Sequence, residues 1–162
     1  MRVVPVLAAL VGTSSASKMF VQMTAAQMNY QWAVTGWSAG CAETGCSYDF
    51  NITGTANDTA RPARPGFKAY CSGEGEGAPY QECTLLDSDD KPLRVVASLL
   101  SSSNATTNGT RQAHIEVSMM HADAEAPTTF YNYTGDGYGT YNKFAAPVEN
   151  FPIQVDSFFG VA

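Results

Sequence analysis

The chain has 162 residues, 44% of them apolar and 15% charged, with 14 Gly, 8 Pro, 4 Cys and a formal charge of −6. That length suits one domain, and the apolar share is enough for a packed core, which argues against global disorder. Nine Lys and Arg against fifteen Asp and Glu argue against a nucleic-acid binder, because phosphate neutralisation needs a basic face.

The N-terminus reads as an address. Met1 and Arg2 give a positive start, Val3 to Gly12 form an apolar run broken only by Pro5, and Ser14-Ser15-Ala16 supplies small residues for cleavage. Residues 1–16 are expected to be a secretory signal peptide, followed by a leader over 17–27 and one domain over 28–162. The apolar run is about half of the ~20 residues a membrane span needs, so a secreted, extracellular product without a membrane partner is expected. Five of the eight Asn residues head Asn-x-Thr sequons, Asn51, Asn57, Asn104, Asn108 and Asn132, which makes each an expected glycosylation site.

After the leader, apolar and polar residues alternate with period two and no amphipathic helix stands out. A strand is expected near 28–35, with Tyr30, Trp32 and Val34 on one face. Trp37, five residues after Trp32, should face the opposite side. In Cys46–Thr53, the residues Cys46, Tyr48, Phe50 and Ile52 share one face, and Asn51 falls on the solvent side. Further strands are expected near 66–72, 80–86, 93–100 and 111–119, then 128–133, 138–144 and 151–156. Turn chemistry separates them at Gly73–Pro79, Asp87–Pro92, Ser101–Gly109 and Gly135-Asp-Gly137. Ser101–Gly109, polar and carrying two sequons, should be a glycan-covered loop. Eight or nine short strands with frequent turns describe an all-β, single-domain antiparallel β-sandwich or closed β-barrel.

Four cysteines allow three pairings, and loop-closure entropy does not separate them. Locality favours Cys41–Cys46 and Cys71–Cys83. Zinc is the competing chemistry, but neither spacing is C-x-x-C and an exported chain meets oxidising conditions.

The best catalytic candidates are His114, Glu116 and Arg111. His114 and Glu116 lie two apart on one strand face, roughly 7 Å from each other, as an acid and a base around a phosphate require. An ordinary solvated strand surface explains the same pattern. His121, Asp123 and Glu125, with His114, lack a specific metal spacing. Asp87, Asp89 and Asp90 lack the glycine and distal glutamate of a calcium loop. No metal and no cofactor is expected. The segment Phe130–Phe144 holds six aromatics among three glycines. Tyr131, Tyr133, Tyr138 and Tyr141 make it a candidate binding surface, because the ring offers rigid area with a polar tip. A hairpin whose aromatic pairs close the core competes with that reading.

The pattern Trp32-Ala-Val-x-x-Trp37 followed by Tyr48-Asp-Phe-Asn-Ile52 resembles the opening of fungal small secreted proteins related to the Alternaria major allergen. Phe67-Lys-Ala-Tyr-Cys71 and Tyr80-Gln-Glu-Cys83 look like that family's disulfide-closed hairpin. Ala113-His-Ile-Glu-Val117, Phe151-Pro-Ile and Phe159-Gly-Val look like relatives that induce the hypersensitive response. The resemblance implies a compact β-barrel or sandwich, fungal export and contact with a plant or animal host, without a defined catalytic site. Cys41 and Cys46 depart from it, because the allergen's second disulfide comes later in the chain. The leading expectation is a non-catalytic effector, elicitor or allergen-like protein that recognises a host or cell-wall component. The alternatives are a ribonuclease or other hydrolase using His114 and Glu116, and a carbohydrate-binding wall protein.

Overall fold

The structure, a computed structural model, describes residues 22–24, 29–87, 92–101, 106–107, 110–142 and 148–161. The expected signal peptide, Asn104, Asn108, Asp89 and Asp90 lie outside the described residues. Every regular element among the described residues is a strand. They are β1 (Gln22–Thr24), β2 (Gln31–Ala42), β3 (Gly45–Gly54), β4 (Phe67–Glu74), β5 (Gln81–Glu82), β6 (Thr84–Leu85), β7 (Leu93–Leu100), β8 (Thr106–Thr107), β9 (Thr110–Ala122), β10 (Phe130–Thr140) and β11 (Glu149–Val161). The order is β5-β7-β9-β10-β11-β2-β3-β4-β6, with β1 added to β11 and β8 to β9. All pairs are antiparallel, and the sheet curls into a nearly closed barrel.

Period-two alternation sends one face of each strand inward. Tyr48, Phe50 and Ile52 of β3, Val95, Ala97 and Leu99 of β7, and Ala113, Ile115, Val117 and Met119 of β9 are all buried. Asn51 faces solvent, as its sequon requires. The Tyr48 hydroxyl crosses the interior and donates to the Ala97 carbonyl at 3.0 Å. Burial pushes that phenol up to about 12.

Two expectations fail for identifiable reasons. Trp32 and Trp37 were expected on opposite faces, yet both are core, 0% and 1% exposed. The β2–β3 register shifts between Thr35 and Ser38, where Gly36 adopts φ 69°. One extra residue flips the parity of everything after it. Gly135-Asp-Gly137 was expected as a turn, but it lies mid-strand in β10, joining the two expected strands into one. Glycine serves there for close approach: a Cβ on Gly139 would lie 2.5 Å from Trp37 Cε2, and one on Gly137 would lie 3.2 Å from Phe151 Cε2. The glycine stripe makes room for two aromatic rings. In addition, β1 lies within the expected leader and pairs with Ser157–Phe159.

Closure occurs over Gln81–Leu85. Gln81 and Glu82 pair with Ala97 and Val96 of β7, whereas Thr84 and Leu85 pair with Tyr70 and Ala69 of β4. Between them the Cys83 amide donates to Val95 O at 2.9 Å, and its sulfur is bonded to Cys71 of β4. Cys41 and Cys46 are bonded as directly opposed residues of the β2–β3 hairpin. The pairing favoured by locality is the one formed, and the two short loops contribute about 2 and about 3 kcal/mol by chain entropy.

Gly139→Ala should lower the unfolding free energy by about 1–3 kcal/mol, the scale of overpacking a filled core. Urea denaturation measures it, and an unchanged midpoint would mean that Trp37 does not seat over β10.

Candidate functional site

Two regions gather chemistry. The first is the outer face of β9, β10 and β11. Strand parity turns His114 and Glu116 outward, and the register sets Tyr138 opposite His114 and Asp136 opposite Glu116. His114 Nε2 lies 2.5 Å from Asp136 Oδ2, and the Tyr138 ring stacks on the imidazole at 4.3 Å between centroids. The Tyr80 hydroxyl donates to Glu116 and its pKa is raised, mainly by burial and then by that carboxylate. Asp156 sits where the β10–β11 register shifts, so it reaches the same face. Its pKa is raised by desolvation first, then by a hydrogen bond to Asp136 and by the negative charge of Asp136 and Glu116.

Three carboxylates thus share this face, Asp136 against His114 and Asp156 beside Asp136 and Glu116. Arg111, expected as the third catalytic group, has the opposite parity and does not join them. Its guanidinium pairs with Glu76 at 2.6 Å and lies 5.3 Å over the Tyr141 ring. A phosphodiester brought to His114 would meet repulsion from the carboxylates instead of a cationic clamp. The face is poorly suited to phosphate binding.

The four tyrosines do not share a surface. Tyr133 is core, 1% exposed, whereas Tyr138 lies outside and is 50% exposed. Tyr131 and Tyr141 have the inward parity at opposite barrel ends, where they donate to Asp123 (3.1 Å) and to Glu76 respectively. Of the sequons, Asn57 is exposed in a loop, and Asn132 is half-buried, accepting from Ser118 Oγ at 2.8 Å.

The second region is the barrel mouth at the Tyr131 end. Between β3 and β4 the chain folds back so that Asn57 and Arg64 exchange backbone hydrogen bonds of 2.8 and 3.1 Å. Between β9 and β10, Asp123 Oδ1 accepts the Glu125 and Ala126 amides at 2.8 and 3.2 Å. These contacts, with Tyr131, hold the Asp123 pKa down. A cavity of about 640 Å³ lies between the two loops, lined by Asp58, Arg61, Arg64, His121, Asp123, Glu125 and Tyr131, with prolines and alanines completing the walls.

His121 fixes the polarity of this mouth. Its Nδ1 lies 3.0 Å from the Ala122 carbonyl, which can only accept, so Nδ1 carries the proton. Burial pushes its pKa below 6.5, against weaker pulls from Ala122 and Asp123, and the neutral ring leaves Nε2 with a free lone pair. That atom is buried without a hydrogen-bond partner; close by, the Tyr30 hydroxyl is engaged by Trp32 and the Tyr133 hydroxyl by Arg64. They form one cluster: Tyr133 stacks on His121 and meets Tyr30, Tyr30 meets Trp32, and Arg64 lies 4.8 Å over Tyr30. Burial raises Tyr133 to about 12, although the Arg64 charge pulls the other way. The sequence shows His121 and Asp123 only as weak metal candidates. It gives no sign of Arg64, whose position depends on the fold-back at Asn57.

No family model, curated protein or solved structure matches the chain.

Asp156→Asn should raise stability at pH 7 by about half a kcal/mol, the scale of a screened surface pair. A carboxyl whose folded pKa is raised is most favourable when protonated, so the gain should vanish as pH falls below 3.8. Thermal melts across that range measure it; a gain that persists at low pH would mean that Asp136 and Glu116 do not crowd Asp156.

Proposed function

We propose that the protein is an exported, non-catalytic recognition module of the effector, elicitor or allergen-like kind, and that it meets a host or cell-wall component with the pocketed mouth of its barrel. The observation that carries this reading is the cavity between the 58–65 and 121–125 loops, lined by charged side chains of both signs and by His121, whose Nε2 is buried without a partner. A buried polar atom costs about 1–3 kcal/mol when left unmatched, and its place in the wall of a charged cavity suits a recognition site.

Export rests on the N-terminal pattern and the sequons. Two disulfides are compatible with an extracellular protein, and among the described residues no helix is long and apolar enough to cross a membrane. The resemblance to fungal small secreted proteins supports the same role. A ribonuclease using His114 is less well supported, because Arg111 is held by Glu76 and the histidine is bound to Asp136 on a face that carries two further carboxylates.

Secretory expression should yield a product beginning at Ser17 that binds isolated plant or fungal walls and leaves RNA intact. Arg64→Met should abolish wall binding, whereas His114→Ala should not change it. RNA cleavage lost in His114→Ala, or wall binding indifferent to Arg64, would overturn this reading.

A further inference from the structure

We infer, building on the reading that the barrel mouth is the recognition site, that its cavity binds a neutral saccharide. Four features of the mouth select that class. The polar side chains lining it are of both kinds: Asp58, Asp123 and Glu125 accept, whereas Arg61 and Arg64 donate. A ligand hydroxyl is the smallest group that answers both demands at once. Second, the wall is charged but nearly balanced, with Asp58, Asp123 and Glu125 against Arg61 and Arg64. An anion would meet three carboxylates and a cation two guanidiniums, so a neutral partner is favoured.

Third, carboxylates and guanidiniums side by side suit vicinal hydroxyls, which donate to the first and accept from the second. Asp123 is already engaged by turn amides and by Tyr131, whereas Asp58 and Glu125 are exposed. A flat apolar ligand would bury those charges without partners. Fourth, Tyr131 and the proline rings provide rigid apolar wall against which the C–H face of a sugar ring packs. The cavity volume, about 640 Å³, falls within the range of small-molecule sites.

The outer cluster around His114 does not compete for this ligand. Its carboxylates are on an open strand face, and its histidine is already bound to Asp136 and stacked by Tyr138.

The test is a titration of the isotope-labelled mature protein with chitobiose, laminaribiose and mannobiose, followed by amide shifts. At least one disaccharide should produce saturable shifts in residues 58–65 and 121–125. Arg64→Met should weaken that affinity about tenfold or more, the effect of losing a hydrogen bond to a charged group. Glu125→Gln, at an exposed position, provides a second variant should Arg64→Met fail to fold, and it should also weaken binding. Shifts with none of the three sugars, or shifts confined to the His114 face, would overturn the inference. A protein that binds walls in an Arg64-dependent way, yet answers to no sugar, would lose the saccharide and keep the recognition reading. Sugar binding unaffected by both variants would place the site elsewhere and remove both.

Discussion

The barrel depends on five residues that change partners. A curled antiparallel sheet has two edges, and each edge presents unpaired backbone groups that must be covered or paired. Gln81–Leu85 answers both edges in one stretch, pairing first with β7 and then with β4. The Cys71–Cys83 bond holds the stretch at its crossover point. Neither β5 nor β6 exceeds two residues, so backbone pairing alone gives the seam little strength. The covalent tie fixes its place.

The mouth follows from that seam. One cavity wall is the loop leading into β4, and the other comes from the start of β7 and the end of β9, where Leu93 pairs with His121. These elements belong to opposite ends of the sheet, and only closure brings them together. The glycine stripe of β10 acts on the interior in a complementary way. It admits Trp37 and Phe151, whose rings meet at 5.4 Å, and so fills the barrel well away from the mouth. One part of the barrel is packed apolar, whereas the Tyr30, His121 and Tyr133 end buries polar side chains.

Much of this is legible in residues whose pattern is local. The alternation through Cys46–Ile52 and Val95–Leu99 fixes strand faces directly, and two short cysteine spacings favour the observed bonds. What escapes the sequence is set by single residues or by distant ones. Gly36 reverses the parity of β2 with one inserted residue, which no alternation reveals. Gly135 and Gly137 carry a turn signal although their role is close packing, because glycine marks both. His114 and Glu116 share a face as their spacing requires, but the carboxylates that join them there, Asp136 and Asp156, come from β10 and β11. Arg64 has no local pattern at all, and its place over Tyr30 depends on the fold-back at Asn57.

Closure through the stapled seam is the claim on which the fold and the mouth both rest. Native-state amide hydrogen exchange tests it most directly, through the Cys83 amide bonded to Val95 and the Leu86 amide bonded to Lys68. In the oxidised protein both should exchange as slowly as the central amides of β9. Selective loss of the Cys71–Cys83 bond should release these two while β9 and β10 stay protected. Fast exchange at Cys83 and Leu86 with the disulfide intact would mean that the sheet is open, and it would contradict the closed barrel.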